Sequence, residues 1–202
     1  MRLRIALSTL LLASLLMVGC SSVAKVMFGI DEIDEYNAER VASFYKESSL
    51  LIPCHQIVAT AAQQDSAIRI DLDTAMMQHR GQMVQVLYFD RDSLVFYHIS
   101  CYTQKGLFRT DWNTYGSFNT FPPNPTVVDD PHSGMTFEAY RRIFTGIASD
   151  KRYKVIIVWS NVLRPLSHKA VRTVADNVAG RDDVDVFLVN IDYWFVWYRN
   201  KQ

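Results

Sequence analysis

The chain has 202 residues, of which 49% are hydrophobic, and its 21 basic side chains balance 21 acidic ones. This length is enough for one domain with a sizeable core. The balanced charge argues against a nucleic-acid partner, because neutralising phosphates needs a basic surplus. The sequence also has no G-x-G-x-x-G or P-loop pattern to hold nucleotide phosphates, and we expect no cofactor.

Residues 1–19 have the character of a signal peptide. Arg2 and Arg4 precede an apolar run, Ile5–Val18, that is too short to span a membrane stably. Small residues then lead into Cys20. This ending resembles the lipobox of bacterial lipoproteins, in which the cysteine is lipidated and becomes the mature N-terminus. The alternative is an ordinary secretion signal in which Cys20 is incidental.

The lipobox resemblance implies a domain outside the cytoplasm, held to the bacterial cell envelope by its lipid. Ser21 and Ser22 follow the cysteine, and the absence of an acidic residue there resembles the pattern of outer-membrane sorting. Residues 20–30 are then the lipidated N-terminus and a tether, and residues 31–202 form a single domain.

The domain opens with residues that predict an amphipathic helix, Asp31–Ser48. Its first turn is acidic and would complement the helix dipole, although the same carboxylates could be imagined as a metal-binding cluster. Short irregular elements are expected over 49–67, where Pro53 interrupts apolar segments. A short helix is expected at Asp71–Arg80. The acidic residues of the first turn are Asp31, Glu32, Asp34 and Glu35.

The middle of the chain predicts a β-hairpin. Met83–Phe89 and Leu94–Tyr102 are rich in β-branched and aromatic residues, and Asp90–Ser93 between them has turn composition. A loop-like stretch over 103–134 follows, and Thr136–Ile147 then has the periodicity of a helix.

The clearest unit is a strand–helix–strand segment. Tyr153–Trp159 and Val184–Ile191 are apolar runs typical of buried strands, and Pro165–Val178 between them is helical. Such a unit places two parallel strands in one sheet with a right-handed crossover. The fold class is therefore α/β with α+β character: a mixed sheet of a hairpin plus a βαβ unit, flanked by helices.

This unit resembles part of the thioredoxin-like fold. Strand Lys154–Trp159 and the helix that begins near Pro165 are similar to its first core strand and active-site helix, and Val184–Asp192 to the next parallel strand. With the preceding hairpin, the arrangement resembles thioredoxin-like lipoproteins of unassigned function from Bacteroidetes. The features that carry this resemblance are the lipobox, the strand ends Ile99-Ser100-Cys101-Tyr102 and Val158-Trp159-Ser160, and the turn Phe121-Pro122-Pro123. The chain ends soon after Asp192, which implies a truncated version of that fold.

The resemblance also places a lost redox motif. When Trp159 is laid on the family's strand-end tryptophan, Leu163-Arg164-Pro165-Leu166 occupies the position of the Cys-x-x-Cys. There the helix N-terminus and a second thiol lower the pKa of the attacking cysteine. No cysteine follows Cys101 in the sequence, so the site is expected to be redox-inactive.

Two cysteines lie inside the domain, Cys54 and Cys101. Outside the cytoplasm such a pair is a structural disulfide, two buried free thiols or a redox pair. With His55 and His98 they could supply four zinc ligands, but strand alternation puts His98 and Cys101 on opposite faces. We therefore expect no metal site.

Two further features have alternative interpretations. Arg164 and His168 at the start of a helix could recruit an anion or simply form a solvated face. The C-terminal aromatics pack under the long loop or add an edge strand; alternatively they form an exposed strip for a partner, a glycan or a membrane surface. They are Tyr193, Trp194, Phe195, Trp197 and Tyr198.

Two functions follow from these observations. The first is a membrane-anchored envelope lipoprotein whose redox-inactive thioredoxin-like domain is a binding or assembly module with an envelope protein partner. The alternative is a thiol-disulfide oxidoreductase that uses Cys54 and Cys101 in an unconventional way.

Overall fold

A computed structural model describes residues 30–70, 81–99, 112–113, 116–124 and 135–201. The predicted lipidation site Cys20, the predicted helix Asp71–Arg80 and Cys101 lie outside these residues. The helices of the described part are α1 Ala38–Ser49, α2 Ala61–Ile68, α3 Phe137–Ile143, α4 Arg164–Asn177 and α5 Asp192–Arg199. The strands are β1 His55–Val58, β2 Gln85–Asp90, β3 Ser93–Ile99, β4 Tyr153–Trp159 and β5 Val184–Asn190.

The five strands form one mixed sheet in the order β1-β5-β4-β2-β3. Strands β1, β5 and β4 are parallel, whereas β2 is antiparallel to both β4 and β3. The predicted hairpin is β2–β3, and the predicted βαβ unit is β4–α4–β5. The fold class is thus confirmed, and the arrangement is compatible with a thioredoxin-like fold.

Helices cover both faces of the sheet, which explains why its central strand is apolar at nearly every position. Val155, Ile157 and Trp159 of β4 belong to one buried cluster, which includes residues of α1 and α4. Ile156 and Val158 belong to the other, which includes residues of α2 and α3. Each fully buried side chain of this size contributes about 1.5–3 kcal/mol, so continuous burial along the strand favours this register strongly.

The first helix begins later than the sequence predicts. Asn37 caps α1, because its side-chain oxygen accepts a hydrogen bond from the backbone N–H of Arg40 at 2.9 Å. The acidic residues 31–35 therefore precede the helix, and the prediction that they form its first turn is wrong. The reason is tertiary: the N–H of Asp31 donates to the carbonyl of Val162 at 2.9 Å, which ties this stretch to the start of α4.

Two other elements differ from the prediction. Strand β1 lies in the region assigned to irregular elements, where it pairs with β5 at the sheet edge. The C-terminal aromatic residues form helix α5 rather than an edge strand. Ile191 and Trp194 are buried three residues apart with Tyr193 exposed between them, and a spacing of three residues places the two buried side chains on one face of a helix.

Candidate functional site

The carboxyl ends of β4 and β5 meet at one edge of the sheet, where open α/β sheets commonly bind ligands. Ser160 and Asn161 follow β4, and Asp192 lies two residues beyond the end of β5. All three side chains are buried, with Asp192 only 1% exposed. A buried carboxylate at this position needs hydrogen-bond donors to replace water.

The donors come from the β4–α4 connection. Asp192 Oδ1 accepts hydrogen bonds from Ser160 Oγ at 2.6 Å and from the Asn161 N–H at 2.9 Å. Its Oδ2 accepts from Asn161 Nδ2 at 2.7 Å. Hydrogen bonds to a carboxylate are about twice as strong as neutral ones. The network therefore fixes the end of β4 against the start of α5.

A cavity of about 320 Å³ opens above this network. Four carboxylates line it, together with the side chains of Asn37, Arg40 and Asn161. Arg40 is paired with Asp31 outside the lining. The surplus of negative charge in the lining favours a positively charged group as occupant. The four carboxylates are Glu32, Asp34, Glu35 and Asp192.

The predicted position of the lost redox motif is the first turn of α4. Leu163 and Leu166 are only 3% and 7% exposed, and both belong to the core cluster under that helix. Pro165 lies in the first turn, where its missing N–H is tolerated. Arg164 donates to the carbonyl of Arg40 at 2.9 Å. The first turn of α4 therefore contributes side chains to the core and one hydrogen bond within the domain.

Arg164 and His168 do bind an anion, but it is an internal one. Arg164 Nη2 lies 2.8 Å from Glu47 Oε1, and His168 Nε2 lies 3.0 Å from Glu47 Oε2. Burial lowers the pKa of His168 and outweighs the opposite effect of Glu47. The pKa of Glu47 is lowered chiefly by its hydrogen bond from Ser43. The cluster joins α1 to α4.

Cys54 is half-buried just before β1, and its thiol is bonded to no described residue. Burial raises the pKa of this thiol, which disfavours the nucleophilic thiolate. The pairing of Cys54 with Cys101 stays a prediction, since Cys101 lies outside the described residues. Neighbouring His55 stacks on Phe187 with ring centroids 4.8 Å apart. Among the described residues, no three His, Cys, Asp or Glu side chains are grouped to hold a metal ion.

The aromatic residues of α5 divide between core and surface. Trp194 is 9% exposed, whereas Tyr193 and Tyr198 are 43% and 47% exposed. Phe195 packs partly buried against the core, and Trp197 is partly exposed. Of the predicted partner surface, only the part on the outer side of this helix is accessible, and its role in binding stays a prediction.

Sequence reasoning missed the Ser160–Asn161–Asp192 network. The available signal was three polar residues directly after two buried parallel strands, whose carboxyl ends meet at one edge.

None of the helices in the described residues has the length and apolar character needed to cross a bilayer. Comparisons with protein-family models, with curated proteins and with solved structures give no match for this chain.

Proposed function

We propose that this chain is a lipid-anchored protein of the bacterial envelope whose thioredoxin-like domain binds a partner and does not catalyse thiol exchange. The burial of Leu163 and Leu166 at the start of α4 is the observation that carries this proposal. A thioredoxin-type catalyst needs an accessible, activated thiol at that turn. Here both positions belong to the hydrophobic core, and the fold is retained without the chemistry.

The partner-binding site proposed is the cavity at the carboxyl edge of the sheet. Its floor is rigid, because Asp192 and Asn161 are locked by their mutual hydrogen bonds. Its rim carries exposed Glu32 and Glu35. A fixed acidic concavity of this kind complements a Lys or Arg side chain, and the expected partner therefore presents a basic segment.

Binding is tested by crosslinking the intact lipoprotein in envelope preparations. The double variant Glu32→Gln/Glu35→Gln should lose the crosslinked species, because it removes rim charge and leaves the shape unchanged. Asp182→Asn is the matched control, since Asp182 is exposed in the turn before β5 at the opposite end of the sheet. Equal loss in both variants, or loss in neither, would contradict binding at the cavity.

The anchor is tested separately. Cys20→Ser should release the protein from the membrane fraction and abolish its labelling with a radioactive fatty acid. A wild-type chain that fractionates as a soluble protein, or labelling that survives the substitution, would remove the lipoprotein assignment.

The alternative function, an oxidoreductase that uses Cys54 and Cys101, predicts a different result. An insulin-reduction assay should then respond to Cys54→Ser and to Cys101→Ser. The proposed function predicts no activity in the wild-type protein or in either variant. The raised pKa of Cys54 favours this inactive outcome.

A further inference from the structure

One stripe of side chains runs along the outer side of α5 and continues to Lys201, just beyond the C-terminal end of the helix. Tyr193, Trp197 and Lys201 are four residues apart, a spacing that aligns them along a helix. Lys201 Nζ lies 3.7 Å from the centre of the Trp197 ring. Tyr36 extends the stripe, because its ring stacks on that of Tyr193 with centroids 3.9 Å apart. These four residues are called the aromatic stripe below.

The aromatic stripe lies beside the point where the described chain begins. Arg199 of α5 donates to the carbonyl of Ile33 at 3.2 Å and pairs with Asp34. Together with the stacking of Tyr36 on Tyr193, these contacts hold residues 33–36 against α5. A tether that enters at Ile30 therefore reaches the domain on the side that carries the stripe.

The reach of the tether limits which side of the domain can meet the membrane. Nine residues separate Cys20 from Ile30, and the ten residue-to-residue steps between them span at most about 35 Å. A domain of about 170 residues has a radius of gyration near 16 Å and hence a diameter of about 40 Å. A lipid on Cys20 thus excludes orientations in which Ile30 lies on the side of the domain farthest from the bilayer, and it leaves the aromatic stripe within reach of the membrane.

We propose that the aromatic stripe, Tyr36, Tyr193, Trp197 and Lys201, contacts the headgroup region of the membrane that holds the anchor. This inference rests on the proposed lipid anchor. Tyr and Trp rings partition to membrane interfaces, where one end is apolar and the other hydrated. A lysine at the end of the stripe buries its methylenes and keeps its ammonium among the headgroups.

The charges around the stripe define the kind of contact. Exposed Glu32 and Glu35 shortly precede Tyr36 in the chain, and carboxylates there oppose attraction to anionic lipid. The contact therefore depends on burial of aromatic surface, and it persists at high salt. It is also weak by itself and acts by orienting a domain that the lipid already holds.

Trp197 supplies a reporter for this contact. The chain has four tryptophans, and Trp112, Trp159 and Trp194 are at most 9% exposed. The full-length lipoprotein is reconstituted into vesicles of phosphatidylethanolamine and phosphatidylglycerol, with or without bromine on the acyl chains near the glycerol. Brominated lipid should quench part of the tryptophan emission, and Trp197→Phe should lose that quenching. Trp194→Phe is the matched control and should retain it.

The outcomes separate this inference from the anchor. If the wild-type protein does not remain with the vesicles, or if Cys20→Ser remains bound, the proposed lipid anchor fails. If the protein is anchored but its emission is not quenched, the aromatic stripe does not touch lipid and the inference is overturned. Equal quenching in wild type and Trp197→Phe, or its loss in 1 M salt, also overturns it. Protection of Trp197 from an aqueous quencher by cell-wall glycan alone would assign the stripe to glycan instead.

Discussion

The two ends of the sheet handle charge in opposite ways. At the carboxyl end, Asp192 is buried and receives three hydrogen bonds from Ser160 and Asn161. At the amino end, Arg152 forms a bidentate pair with Asp90 through Nη2 at 2.8 Å and Nε at 3.0 Å, but the Arg152 side chain is 52% exposed. The geometry of both is good, but they differ in burial and in the charge of the donors.

This difference determines what each interaction contributes. An exposed ion pair loses part of its hydration and gains an attraction that water and salt screen. It therefore contributes little to the free energy of unfolding. A buried carboxylate is out of contact with water, and so are its donors. When the carboxylate is removed, these donors are left without any hydrogen-bond partner. The carboxyl end is therefore expected to tolerate substitution less well than the amino end, and it is also where the cavity lies.

The largest effect is expected for Asp192→Ala. This substitution leaves the Ser160 hydroxyl and both Asn161 donors buried without an acceptor, and it should lower the free energy of unfolding by about 3–5 kcal/mol. Asp182→Ala, at an exposed site, should change it by less than about 0.5 kcal/mol. Urea denaturation of the three proteins measures both values. A loss below about 1 kcal/mol for Asp192→Ala would contradict the importance of the buried network.

A smaller effect is expected for Arg152→Ala at the opposite end. Removal of its exposed pair with Asp90 should lower the free energy of unfolding far less than Asp192→Ala does, because exposed ion pairs contribute little. The difference from wild type should shrink at high salt, because screening weakens exposed pairs most. Denaturation in low and high salt tests this, and a loss as large as that of Asp192→Ala would remove the contrast between the two ends.

The smallest effect is a dependence on pH at the junction of α1 and α4. Burial lowers the pKa of His168 below its ordinary value of 6.5, despite the neighbouring Glu47. The unfolded chain then takes up a proton at a higher pH than the folded chain does. The stability contributed by neutral His168 is present above pH 6.5 and is lost as the pH falls through its lower folded pKa.

The variant His168→Gln should flatten this part of the stability profile. The measurement is the unfolding midpoint of both proteins from pH 7.5 to pH 5. Because the other histidines are common to both proteins, the difference between the two profiles isolates His168. A wild-type protein that gains stability relative to the variant as the pH falls would show that the attraction of Glu47 dominates instead.

The elements that the sequence predicted well share one property. β4, α4 and β5 begin and end within one residue of their predicted bounds, because long apolar runs and a complete helical period do not fit another structure. The hairpin turn at Asp90–Ser93 was equally clear, since its polar residues separate two strands of strong β propensity.

The elements that were mispredicted depend on distant partners. His55–Val58 is four residues long with one buried side chain, too short for a periodic signal, and it becomes a strand by pairing with β5. The residues of α5 have high β propensity, yet they form a helix because Ile191 and Trp194 bury their side chains at helical spacing.

The sequence by itself determined the mixed sheet and the absence of a thiol at the start of α4. Both features depend on the order of residue types along the chain, and each can be recognised from a short stretch of neighbouring residues. Only the tertiary structure decided that Asp192 meets Ser160 and Asn161, some thirty residues earlier in the chain. It also placed the acidic cavity and the aromatic stripe beside each other at one edge of the sheet. Parallel strands bring their carboxyl ends together whatever the separation along the chain, but which side chains there hydrogen-bond to one another depends on how the whole chain packs.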